Sequence, residues 1–326
     1  MSKRTWDATA GAPGDCLPGL AGPDAGLPRV LACFEHAGHQ DPTAAWDAFT
    51  RTWNWAAPLA AALPVTVGGA GPVARAVPGG FALSGLWRPP TGDRTDWVAL
   101  PVPTVRRQGR TGVGEDGRDL FVLPERALPR ARSGGSGELE HTAAFELTDA
   151  FVAAGLATRA AGTALRVEDT LFLRTAVTAM ALGAARRVTD ALARLAPDVP
   201  ADAGPAALSP PDSAVELAAV LHDERTALAA ALRGLPESGQ VDSSAAEESA
   251  VTHLTRVGPT VRHVVVAAYE RALPSAGHHE GQSLVRTVEG TSPILQCMRF
   301  AVETLPPLGK TTTWKAQHGD ERRISG

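Results

Sequence analysis

Cysteine is scarce in this chain of 326 residues: Cys16, Cys33 and Cys297 stand alone and far apart. Three scattered thiols make neither a disulfide framework nor a Cys-rich zinc site. Each is therefore read as a reduced, structural residue. The nine histidines include His253, His263 and the pair His278-His279, with no HExxH and no Cys/His ligand spacing, so no metal centre is expected. An excess of either charge is lacking too, since the formal net charge is -4. Such a balance gives no general attraction to nucleic acid or to an anionic membrane. No apolar run is long enough to span a bilayer, and the opening MSKRTWDATAGAPGD has no apolar signal core, so the expected compartment is the cytoplasm.

What is present is a globular composition, 44% hydrophobic and 20% charged, in a chain long enough for two or three subdomains. Residues 1–26 are rich in Gly, Pro, Ala and Asp without periodicity and read as a flexible lead-in. From Leu27 the spacing is helical, and Asp41 with Pro42 marks a second helix start, running into TAAWDAFTRTWNWAAPLAAAL. This gives a short helical unit over 27–62. At Pro64 the period changes. PVTVGGAGPVARAV, GGFALSGLW, DWVALPVPTV, DLFVLPE and HTAAFELT are short β-rich runs divided by Gly, Pro and Asp, which predicts an antiparallel β domain over 63–156. From Thr163 helical periodicity returns, interrupted by the Pro/Ala-rich stretch 196–213, and predicts a helical bundle over 157–326. Ser244 and Glu247 have capping-box spacing, and Gly258-Pro259 is expected to interrupt or kink the helix they open.

One late stretch, RTVEGTSPILQ (286–296), combines a helix-start grammar with an isolated carboxylate. Ser292 can cap exposed N–H groups and Pro293 suits the first helical position, so a helix is predicted from there until Pro306-Pro307. That reading leaves Glu289 in a loop just ahead of the helix.

Several segments together resemble one family. In ARAVPGGFALSGLWRPPTGDRTDWVAL (74–100), Gly79-Gly80, Ser84-Gly85, Trp87, Gly92 and Asp96-Trp97 match the spacing of the GGY, SGRW, PFASG and ADWVL elements of flavin-dependent monooxygenases of the acyl-CoA dehydrogenase superfamily. The run Asp41-Pro42-Thr43-Ala44-Ala45-Trp46 is similar to the family's Asp-Pro-(Ser/Thr)-Ala-Trp element with one extra Ala, and FELTDAFV to its DVFVP element. VEGTSPI resembles the YEGTSEI segment of the dehydrogenases, with Glu289 at the position of the catalytic base and Val288 in place of Tyr. The resemblance covers roughly residues 27–305. It implies an α+β fold with shortened N-terminal helices, a middle antiparallel β domain and a C-terminal helical bundle. It also implies an FAD cofactor lined by Ser84, Trp87, Thr91 and Gly92, and assembly as a homo- or hetero-oligomer through the C-terminal helices.

The same alignment shows departures. Pro89-Pro90 replace a Phe-Ala pair at the flavin-facing turn, and a proline has no N–H to offer. No Arg-x-x-Phe-Gly diphosphate segment occurs at 196–213, and the last helix reads QCMRFAVETL without an Arg-Asp pair or His. Three functions stay open on these residues. The first is a flavin-dependent dehydrogenase acting on an acyl thioester or small biosynthetic intermediate, with Glu289 taking a proton in a site dry enough to make it basic. The second uses reduced flavin and oxygen to hydroxylate an amine or aromatic substrate. The third is a flavin-free subunit, serving as a hetero-oligomer partner or a redox-neutral catalyst. The Trp-rich stretch Trp46–Trp55 is read as core or subunit interface, and Arg186, Arg187 and Arg225 as ordinary helix-face charges.

Overall fold

The computed structural model describes residues 26–56, 59, 65–66, 71–88, 97–103, 118–129, 145–159, 163–165, 169–195, 214–235, 244–273 and 279–303. Its order is helices, antiparallel β structure, helices, which is the α+β order that the resemblance implies.

Helix α1 spans Leu27–Gln40 and α2 spans Pro42–Thr52. Asp41 separates them in extended conformation: its own N–H closes α1 on Ala37, and its carboxylate accepts from Ala44 N at 3.0 Å, with Pro42 supplying the preset φ of a first turn. The helical pattern predicted to run on through residues 53–63 ends at Thr52. Trp53–Asn54 instead form β1, paired in parallel with β9 (Thr163–Ala164). The physical reason is burial at the wrong period. Trp53 and Trp55 are both about fully buried, two residues apart, a spacing that extended backbone satisfies and a helix face does not.

Among the described residues the β region forms two small antiparallel sheets. Strands β2 (Val65–Thr66), β3 (Val73–Val77), β4 (Gly80–Arg88) and β7 (Phe145–Ala153) form one, with β4 central. The other has the order β5 (Trp97–Pro103), β6 (Arg118–Pro124), β8 (Ala157–Arg159). A two-residue turn joins β3 to β4, and Gly79 takes the positive φ of 77° that such a turn requires. Between the sheets lies a core of Leu83, Trp87, Leu100, Val102, Phe121, Leu123, Phe145, Leu147 and Val152.

Among the described residues four long helices follow: α3 (Thr170–Leu195), α4 (Ala214–Arg233), α5 (Ser244–Ala272) and α6 (His279–Glu303). Helix α3 is central, touching α1, α4, α5 and α6. It is buried nearly all round over Leu173–Ala185, as a helix enclosed by others must be. Its crossing with α1 is close because Gly38 and Gly183 present bare backbone. A Cβ on Gly183 would stand 2.0 Å from the Glu35 carbonyl, and one on Gly38 would stand 2.3 Å from that of Met180. An aromatic cluster of Phe34, Phe49, Trp53 and Phe172 fills the space beside that crossing, with ring centroids 5.5–6.2 Å apart.

Neither inner proline ends its helix. Gly258-Pro259 lies inside α5, and Ser292-Pro293 lies inside α6. Each proline removes one i to i−4 hydrogen bond, and burial of the flanking turns keeps the helix continuous: Val257, Val261, Ile294 and Cys297 are all fully buried. Among the described residues no helix is long and apolar enough to cross a membrane.

Candidate functional site

Glu289 stands in the third turn of α6, with its side chain exposed. The predicted loop before a helix start is thus replaced by continuous helix. Ser292 is exposed rather than capping, its Oγ accepting from Gln296 Nε2 at 3.1 Å. Because Pro293 has no N–H, the carbonyl of Glu289 is the one in this turn that loses its helical donor. The turn is held from both sides. Gly290 rests against Thr43 at the start of α2, where an added Cβ would meet Thr43 Oγ1 at 2.6 Å. Thr291, fully buried, donates its hydroxyl to the Val288 carbonyl at 2.6 Å.

One turn further on, α6 meets the β region. The segment Ala154–Leu156 leaves β7 as a 3-10 turn and lies across α6 so closely that a Cβ on Gly155 would stand 2.0 Å from the Pro293 carbonyl. Gly155 N donates to Gln296 Oε1 at 2.8 Å. Phe300 then packs against Trp55 at 5.3 Å and edge-on to Trp97 at 5.1 Å. Arg174, almost wholly buried on α3, donates its Nε to the Ala301 carbonyl at 3.0 Å, and burial lowers its guanidinium from its ordinary value. Glu289 therefore precedes, on the same helix, the turns of α6 that meet the β region and α3.

Ser84 and Trp87 are positioned by β4. Trp87 is fully buried between the sheets, stacked on Phe145 at 6.0 Å, and its Nε1 donates to the Pro101 carbonyl of β5 at 3.3 Å. Ser84 lies at an irregularity in the β4–β7 pairing, where its Oγ accepts from Asp149 N at 3.0 Å; Asp149 takes a positive φ of 50°. Thr91 and Gly92 lie outside the described residues. Of the four side chains that the resemblance assigns to a flavin, two thus engage the interior and rim of the β sandwich. His279 is exposed at the first position of α6, and His278 is outside the described residues, as are 106–117, 130–144 and 196–213.

A different ionic cluster escaped the sequence reading. Glu35 on α1 is buried, and its two carboxylate oxygens accept from Arg186 of α3 at 2.6 Å and Arg225 of α4 at 2.8 Å. Nearby, His39 bonds Asp190 at 2.8 Å, and Arg187 donates to the last carbonyls of α1, those of His39 and Gln40. These arginines are clamps between helices rather than plain solvated charges. The available signal was Glu35 itself, which falls on the apolar stripe Leu31, Phe34, Gly38. Among the described residues no three His, Cys, Asp or Glu side chains converge as a metal site would require.

No family model and no curated protein matches the chain. Solved structures do. The HsaA monooxygenase from M. tuberculosis is 11% identical, with 86% of this chain and 80% of that one covered and a TM-score of 0.42. XiaF from Streptomyces sp., solved with FADH2 and glycerol, is 15% identical over 89% of this chain and 85% of that one, with a TM-score of 0.31. A nitroalkane oxidase crystallized with 1-nitrohexane is 13% identical over 93% and 85%, with a TM-score of 0.39. These values describe a distant likeness in fold.

Proposed function

We propose that this chain is a flavin-dependent oxidoreductase of acyl-CoA dehydrogenase-like type, acting on an acyl thioester or a similar small biosynthetic intermediate, with Glu289 as the proton-abstracting carboxylate. The observation that supports it is where two independent sequence matches fall. The Ser84–Gly92 match begins on the central strand of the β region, and the Glu289 match lies on α6, within a turn of the residues that dock on that region. Glu289 takes the proton next to the carbonyl, and the substrate, by covering this exposed carboxylate, supplies the dryness that makes it a base. Assembly through the C-terminal helices, as a homo- or hetero-oligomer, belongs to the same reading. The hydroxylating variant shares the fold and differs in one outcome: Glu289→Gln abolishes dehydrogenation but leaves oxygenation largely intact.

A flavin-free subunit is the second reading, and the engagement of Trp87 inside the β sandwich and of Ser84 at its rim favours it. One experiment separates the two. Purified protein is incubated with FAD or reduced FAD and dialysed, the reduced sample is re-oxidised in air, and the absorbance at about 450 nm is read. Retained flavin supports the redox reading; a colourless protein under every condition, with and without a candidate partner chain, overturns it in favour of the second.

A further inference from the structure

We propose that Arg186 and Arg225, held together on the buried Glu35, form a binding site for a phosphate group, free or esterified to a small molecule. The Glu35 side chain is 4% exposed, and its two oxygens accept from Arg186 Nη1 at 2.6 Å and from Arg225 Nε at 2.8 Å. One guanidinium group from α3 and one from α4 are thereby fixed on an anchor that α1 supplies. Their side chains remain 47% and 32% exposed, so the edges that do not bond Glu35 reach water. Among the described residues those edges meet no acceptor.

A count of charges says what is missing. One carboxylate balances one of the two guanidinium groups and leaves a whole positive charge at a half-buried position. The neighbouring acids are already engaged: Asp190 by His39 at 2.8 Å, and Glu224 by Arg256 at 3.0 Å. Asp223 stands two residues before Arg225 and so points to the opposite side of α4. The last carbonyls of α1, the negative pole of its dipole, are taken by Arg187. Two like charges drawn to a single carboxylate repel each other, and a further anion is what completes them.

Geometry selects phosphate among anions. Arg186 still offers Nε and its second Nη, and Arg225 offers both of its Nη groups. A phosphate monoester brings three acceptor oxygens and a charge of about −1.5 to −2, whereas a carboxylate brings two oxygens and one charge. Because Glu35 already orders both side chains, little of their freedom is left to lose on binding. The site shares no residue with the flavin reading and stands or falls apart from it.

Calorimetric titration of the full chain with inorganic phosphate and, separately, with phenyl phosphate tests it, with chloride balancing the ionic strength. Wild type should bind one of the two with a dissociation constant of about 1 mM or below and should melt higher in its presence. Tighter binding of phenyl phosphate assigns an esterified ligand, and tighter binding of the inorganic ion assigns free phosphate; either supports the site. R186Q and R225Q should each weaken binding by about tenfold or more. R51Q, which removes an exposed arginine of α2 from its pair with Asp47, should leave it unchanged. R225K keeps the charge but loses the fork, and should bind several-fold more weakly; it covers the case in which a glutamine variant fails to fold. A wild type that shows no response to either phosphate at about 10 mM overturns the proposal. So does a folded R186Q or R225Q that binds like wild type, a loss in R51Q equal to that in R225Q, or acetate bound as tightly as phosphate.

Discussion

At the scale of single residues, Glu289 and Pro293 act on the same backbone, since the proline withholds the donor that the Glu289 carbonyl would otherwise receive. Glu289→Gln should lower a dehydrogenation rate by about 10²–10⁴-fold. The melting temperature should barely move, because the side chain is exposed and carries no packing. Trp87 gives the converse expectation: Trp87→Phe removes the bond to the Pro101 carbonyl and part of a buried ring, costing about 1–3 kcal/mol in urea unfolding. If Trp87 also lines a flavin, flavin retention falls with it; if it is sandwich core alone, retention is unchanged. Cys297 offers a pH test. Burial pushes its thiol far up, so the folded chain holds the proton while the unfolded one releases it above pH about 8.5. Because the folded form binds more protons there, stability falls as pH rises past that point, by up to about 1.4 kcal/mol per unit, and Cys297→Ala should flatten the decline.

At the scale of elements, the longer strands and the helix starts at Leu27, Pro42 and Ser244 were legible, whereas the end of α2 and the start of α6 were not. GGFALSGLW, DWVALPVP and DLFVLP each appear as the strand that their alternation and flanking Gly or Pro announce. Helix α6 was misread at its start because Ser-Pro is a valid opening signal locally, whereas tertiary burial on both sides of Pro293 carries the helix through it. The strand at Trp53–Asn54 was hidden for a related reason: its partner Thr163–Ala164 is more than a hundred residues away, and no local pattern reports a pairing of that range. Glycine at crossings is equally silent in a sequence. Gly183→Ala should destabilise by about 3 kcal/mol, since its methyl group meets the Glu35 carbonyl and neither helix backbone can yield. Gly155→Ala should do likewise and weaken the docking of α6 on the β region, visible as faster hydrogen exchange around Pro293.

Across the whole molecule, ionic and aromatic contacts tie distant parts of the chain. Glu35→Ala removes the carboxylate shared by α1, α3 and α4; because both guanidinium groups can then turn to water, the cost should be about 2 kcal/mol, below that of a fully buried pair. Of the candidate site, the sequence offers Glu289 by motif, whereas its setting on a helix and the packing of Trp87 in the sandwich follow from long-range contacts that only the folded chain reveals. Phe300 shows how far such packing reaches. It closes over Trp55 and Trp97, and its neighbour Ala301 receives the Arg174 guanidinium. During synthesis those partners leave the ribosome long before residue 300 does. Until α6 emerges, a growing chain must therefore carry two indoles without their Phe300 contact and a guanidinium without its Ala301 acceptor. A chain released short of that helix should be a substrate for chaperones and proteases rather than a smaller folded protein.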